Sequence, residues 1–200
     1  MKRMLLRASL AALALAPGAA FAHTGIGDTH GFTHGFLHPL GGIDHQLAMI
    51  LVGILAWRLG GRAVWLVPAA FVAMMALGGA LGAYGVGIPF VEIGIAASVV
   101  ILGLAVALGV KAPVALAMGT VGLFAIFHGH AHGTEMPLDA SGAAYASGFI
   151  AATAALHAAG IAIGFLIGRA AEGRGARIYR IAGGTAAAAG ALLLVSALGG

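Results

Sequence analysis

From about residue 36 to residue 198 the chain is a succession of apolar runs. Each is close to the roughly 20 residues a helix needs to cross a hydrocarbon core, and each ends in a short connection. Lipid offers no partner to an exposed peptide group, so such a chain is confined to helices or to a closed barrel. The runs lack the period-two alternation of barrel strands. The prediction is therefore an all-α integral membrane protein, a bundle of six transmembrane helices at 36–57, 64–83, 88–109, 112–131, 145–168 and 179–198. Composition agrees: 61% of the residues are hydrophobic and 8% charged, against about 25% charged in soluble domains.

The first 22 residues read as a secretory signal peptide. Lys2, Arg3 and Arg7 make a basic start, Ala8 to Ala16 an apolar stretch, Pro17-Gly18 a break, and Ala20-Phe21-Ala22 a small-x-small cleavage pattern. The apolar stretch is short for a membrane span. The expected organisation is a signal peptide over 1–22 and a six-helix transmembrane domain over 23–200, with His23 as the new N-terminus.

Beyond the signal, the basic residues fall on alternate connections only. Arg58 and Arg62 follow the first span, Lys111 the third, and Arg169, Arg174, Arg177 and Arg180 lie where the fifth meets the sixth. Basic loops stay in the cytoplasm. This predicts a multi-pass protein of a bacterial-type inner (cytoplasmic) membrane with both mature termini outside. The net charge of +4 is thereby explained by orientation, and a nucleic-acid partner loses its support. Asp28, Asp44, Glu92, Glu135 and Asp139 and all histidines except His157 fall on or near the opposite side. A surface of carboxylates and imidazoles attracts divalent transition-metal ions. There is no cysteine, which excludes disulfides and thiolate metal sites.

Two constellations carry the chemistry. The first is His38-Pro39-Leu40-Gly41-Gly42-Ile43-Asp44-His45. On a continuous helix His38 and His45 share a face, with His34 extending it. Pro39, Gly41 and Gly42 argue for a broken helix instead, whose freed carbonyls can line an ion cavity. The plainer reading is a helix start capped by Asp44. The second is Phe127-His128-Gly129-His130-Ala131-His132-Gly133-Thr134-Glu135, directly after an apolar run. At helical spacing His128, His132 and Glu135 project together, and His130 points the other way. The plainer reading is a solvated histidine-rich loop.

Secondary candidates are His23, whose free amine and ring can chelate, Glu92 near the end of the third span, His130 as an orienting group, and His157, alone in the middle of the fifth span. A lone membrane histidine can also do no more than bond a neighbouring helix. Glycines four apart, Gly160, Gly164 and Gly168 and also Gly78 and Gly82, are read as close helix packing. A homo-oligomer is compatible with the sequence, which does not fix the number of copies.

At these residues the chain resembles the HupE/UreJ family of nickel/cobalt permeases. The family's His-x5-Asp-His motif is matched by His38, Asp44 and His45. Its Phe-His-Gly-x-Ala/Val-His-Gly-x-Glu motif is matched by Phe127, His128, Gly129, Ala131, His132, Gly133 and Glu135. His130 occupies a variable position. The resemblance implies uptake of Ni2+, with Co2+ as a second cargo, for hydrogenase or urease maturation.

The expected function is thus a permease and not an enzyme. The expected metal ligands are His38, Asp44, His45, His128, His132 and Glu135. No prosthetic group is expected; the metal is cargo. Three alternatives stay open on the sequence: a membrane metalloenzyme using the same ligands for zinc or iron, a haem held between His128 or His130 and His157, and a metal receptor that does not transport.

Overall fold

The computed structural model describes residues 31–136, 140–170 and 174–199. The expected signal peptide and His23 lie outside them. The chain is all-α, with no strand among the described residues. A short helix α1 (Gly31–Leu37) runs into a 3-10 turn (His38–Leu40). There follow α2 (Ile43–Leu59), α3 (Ala63–Ala83), α4 (Val91–Leu108), α5 (Val114–Gly133), α6 (Ala140–Ala170) and α7 (Gly175–Gly199). Helices α3 to α7 are each long and apolar enough to cross a membrane. The protein is a multi-pass membrane protein.

The first expected span departs from a simple rod. The segments Gly31–Leu40 and Ile43–Leu59 meet at an angle of 82°. Pro39 starts the 3-10 turn, and Gly41 and Gly42 carry the chain round the corner. The Gln46 side-chain amide closes the elbow by donating to the Leu40 carbonyl at 2.7 Å. A Cβ on Gly42 would sit 2.7 Å from Asp44 Oδ1, so the corner admits only glycine without a shift. The other breaks are as local: Gly60 and Gly109, both at positive φ, end α2 and α4, and Pro113 precedes α5.

Helix α2 lies at the centre, buried almost all round through Ala48, Met49, Leu51, Val52, Ile54, Leu55 and Ala56. A helix apolar on every side belongs in the interior. Phe71 and Met75 of α3, Val99, Leu102 and Val106 of α4, and Val121 and Ala125 of α5 complete the core. Small residues let the backbones close up, the main source of helix affinity in lipid. A Cβ on Gly53 of α2 would overlap the His157 carbonyl of α6. One on Gly129 of α5 would overlap the Met75 carbonyl of α3. The glycines singled out in the sequence lie on the same seams: Gly78 faces Ile126, Gly82 faces the His130 carbonyl, and Gly160 faces Ile50 and Gly53.

The two ends of the bundle differ in chemistry. At one, Arg58 donates to the Val106 carbonyl, and its guanidinium lies 4.4 Å over the Tyr179 ring. Tyr179 in turn donates to the Gly164 carbonyl. At the other end the histidines gather.

Candidate metal site

The histidine end is built from the elbow, the start of α2 and the last turns of α5. Helix α5 is seated by its glycines: a Cβ on Gly129 or Gly133 would overlap carbonyl oxygens of Met75 and Gly79. With that stripe fixed on α3, His128 and His132 turn toward α2. His130, on the other side, bonds the Val86 carbonyl in the α3–α4 connection at 2.7 Å. It holds that loop and takes no part in the histidine group.

His45, in the first turn of α2, is oriented by its neighbour. Asp44 Oδ1 accepts from the His45 backbone N–H at 2.7 Å and faces ring Nδ1 at 2.8 Å. A carboxylate accepts only, so Nδ1 carries the proton and Nε2 offers a lone pair. That Nε2 lies 2.6 Å from His132 Nε2. The proton between them must then come from His132, which leaves His132 Nδ1 bare; that atom is buried and without a hydrogen-bond partner in the described structure. His128 is settled the same way. Ser98 Oγ donates to the Ile95 carbonyl at 2.6 Å and lies 2.9 Å from His128 Nε2. The hydroxyl's proton is already used, so Nε2 donates and Nδ1 is bare, buried and unpartnered.

The elbow swings His38 back over this pair. Its ring meets the His132 ring edge-to-face at 4.6 Å, and its Nε2 lies 3.6 Å from Glu135 Oε2. One donor atom each from His38, His132 and Glu135 fall within 4.8 Å of one another, near enough to share a divalent ion. The His45 ring packs at 4.4 Å from His132 and 4.7 Å from His128. Four imidazoles thus stand ring against ring, in the order His38, His132, His45, His128, from the half-exposed mouth to a fully buried position. Phe149 of α6 walls this column, 4.4 Å from the His132 ring. Phe71 closes its lower end, 5.7 Å from His128.

All six principal candidates therefore lie in one contiguous group. Two of the routes to it differ from the spacing argument. His38 and His45 do not share a helical face, because the 82° elbow stands between them. Glu135 is not helical: α5 ends at Gly133, and Glu135 arrives through the following turn, its N–H bonded to the His132 carbonyl. Glu92 is exposed in the first turn of α4, where a carboxylate complements the positive helix end. His157 lies deeper, beyond Phe71, whose ring it meets at 5.0 Å. Ser98, Phe71 and Phe149 went unnoticed in the sequence. Ser98 left one trace: it is the sole hydroxyl in the apolar run from Val91 to Leu108.

A family model described as HupE / UreJ protein matches residues 11–193 of the chain. The chain is 48% identical over 196 residues to Protein HupE of Rhizobium leguminosarum bv. viciae, an alignment covering 98% of this chain and 100% of that relative. No solved structure matches it.

Proposed function

The chain belongs to the HupE/UreJ family, and on that footing we propose that it is a permease carrying Ni2+, with Co2+ as a second cargo, into the cell for hydrogenase or urease maturation. The observation that carries this reading is the convergence of His38, His132 and Glu135 within 4.8 Å at one end of a multi-pass bundle. Imidazole and carboxylate in combination suit nickel and cobalt.

The alternation of basic connections supports placing the histidine end outside and the arginine end in the cytoplasm of a bacterial-type inner membrane. The signal peptide over 1–22 belongs to the same orientation, since its removal leaves the N-terminus outside. Glu135 and His38, the most accessible donors, take the hydrated ion first. His132 and His45 replace further waters. Two imidazole nitrogens each about 2.1 Å from one ion at a right angle are about 3 Å apart, so the pair need open only slightly from its 2.6 Å contact. The ion takes the place of the shared proton, and His132 carries its proton on the previously bare Nδ1 instead, so the ring stays neutral as it binds through Nε2. Asp44 keeps His45 aimed and adds the negative charge that lowers the cost of holding a dication away from water. His128 is the next donor down.

The membrane potential suffices to drive the passage. Two charges crossing about 100 mV gain about 4.6 kcal/mol, on the order of a thousandfold accumulation. The test is uptake of radioactive nickel into cells or proteoliposomes, in competition with Co2+ and Zn2+, with His132→Ala as control. Accumulation blocked by Co2+ and lost in the variant is expected. Tight binding with no accumulation in the wild type would overturn the permease reading and favour a receptor.

A further inference from the structure

The outer column leaves one buried histidine unused. His157 stands on α6 two turns beyond Phe149, about 12 Å further along the axis. It is 2% exposed, and neither ring nitrogen has a hydrogen-bond partner in the described structure. An unpaired buried polar atom is destabilising, so a leucine here would be the more stable choice. Such an orphan calls for a reason outside stability.

Its surroundings supply one. Phe71 packs against both His157 and His128, at 5.0 and 5.7 Å between ring centres. Phe71 thus touches both His128, whose Nδ1 is bare, and an imidazole that carries a lone pair in either neutral tautomer. One turn before His157, the buried Thr153 hydroxyl donates to Met75 Sδ at 3.6 Å, so a hydroxyl and a thioether stand along the same stretch. Past His157, towards the arginine end, α6 meets Trp57 and Tyr179 at Gly164 and Gly168. Beyond Phe71, His157 is thus the first imidazole on the way from the outer column to that end.

We propose that His157 is an inner station for the transported ion, a second site reached from His128 by displacement of the Phe71 side chain. The transfer is a ligand exchange: a lone pair of His157 replaces that of His128 on the metal, and no proton need leave His157. This rests on the permease reading, and it divides the protein into a capture site that sets affinity and a relay that sets rate.

The test uses purified full-length protein in proteoliposomes, with Ni2+ binding measured by equilibrium dialysis and Ni2+ entry by a dye sealed inside. His157→Leu should leave the half-saturating external Ni2+ unchanged and lower the maximal uptake rate about tenfold or more, the pattern of a lost step after binding. His132→Ala should instead weaken binding. The leucine should also raise the melting temperature, because it removes the orphaned nitrogens. His157→Gln, which stays polar but offers no imidazole, should be as slow as the leucine variant. Wild-type uptake rates in either variant would overturn the relay while leaving the permease reading intact. Binding without entry in the wild-type protein would overturn the permease reading, and the relay with it.

Discussion

His45 Nε2 and His132 Nε2 lie 2.6 Å apart across 87 positions of sequence, joined by one proton that a divalent ion can replace. Neither ring is free to turn away, since Asp44 holds the first and Phe149 walls the second. The pair is therefore aimed before any metal arrives, and its strength as a ligand pair depends on the groups behind it.

Asp44→Asn tests the group behind His45. The asparagine keeps an oxygen for the backbone N–H but loses the charge that makes His45 a strong donor. Outer-sphere partners of this kind are worth about 10–100-fold in metal affinity. The half-saturating Ni2+ in uptake assays should rise by that order, with the protein still folded by size-exclusion chromatography.

Ser98→Ala tests the group behind His128. It strands a buried Nε2–H, at a cost of about 1–3 kcal/mol. The expected results are a lower melting temperature in detergent and slower uptake. Ser98→Thr keeps the hydroxyl and should recover both in part.

Gly129→Ala and Gly119→Ala make a matched pair on one helix. A methyl at 129 meets the Met75 carbonyl, whereas one at 119 meets nothing within 4 Å. Overpacking costs about 1–3 kcal/mol, whereas alanine for glycine in an open helical position gains about 0.5–1 kcal/mol. Thermal unfolding in detergent should show the first variant destabilised and the second unharmed.

Acid should stop uptake. A protonated imidazole has no lone pair for a metal, so the rate falls as acid protonates the rings and levels off once they are neutral. Proteoliposome uptake between pH 5 and 8, with the internal pH clamped, gives the profile. A flat curve would count against imidazole ligation.

The sequence revealed the helices more fully than the site. Run length and the absence of period-two alternation sufficed for five rods, because lipid leaves an apolar backbone no other choice. Pro39, Gly41 and Gly42 signalled the elbow without giving its direction, and that direction is what returns His38 to His132. The spacing of His128 and His132 revealed their common face, since both are helical. Glu135 reaches the group through a turn that periodicity does not describe. His130 was ambiguous because its partner is the Val86 carbonyl, a backbone atom with no identity in the sequence. Phe71 and Phe149 have the same composition and spacing as any core aromatic, so only coordinates distinguish them.

The glycine seam between α5 and α3 has a mechanical consequence. Where Gly129 and Gly133 press on the Met75 and Gly79 carbonyls, α5 cannot slide or rotate by part of a turn without driving backbone into backbone. His128 and His132 are thus carried on a fixed jaw. The opposing jaw, which bears His38, is seated in the same way: a Cβ on Gly35 would overlap the Tyr145 carbonyl and one on Gly148 the Phe32 carbonyl, so α1 is fixed on α6. Two glycine seams thus hold the mouth from both sides, and the register that a passing ion must meet is set by backbone against backbone.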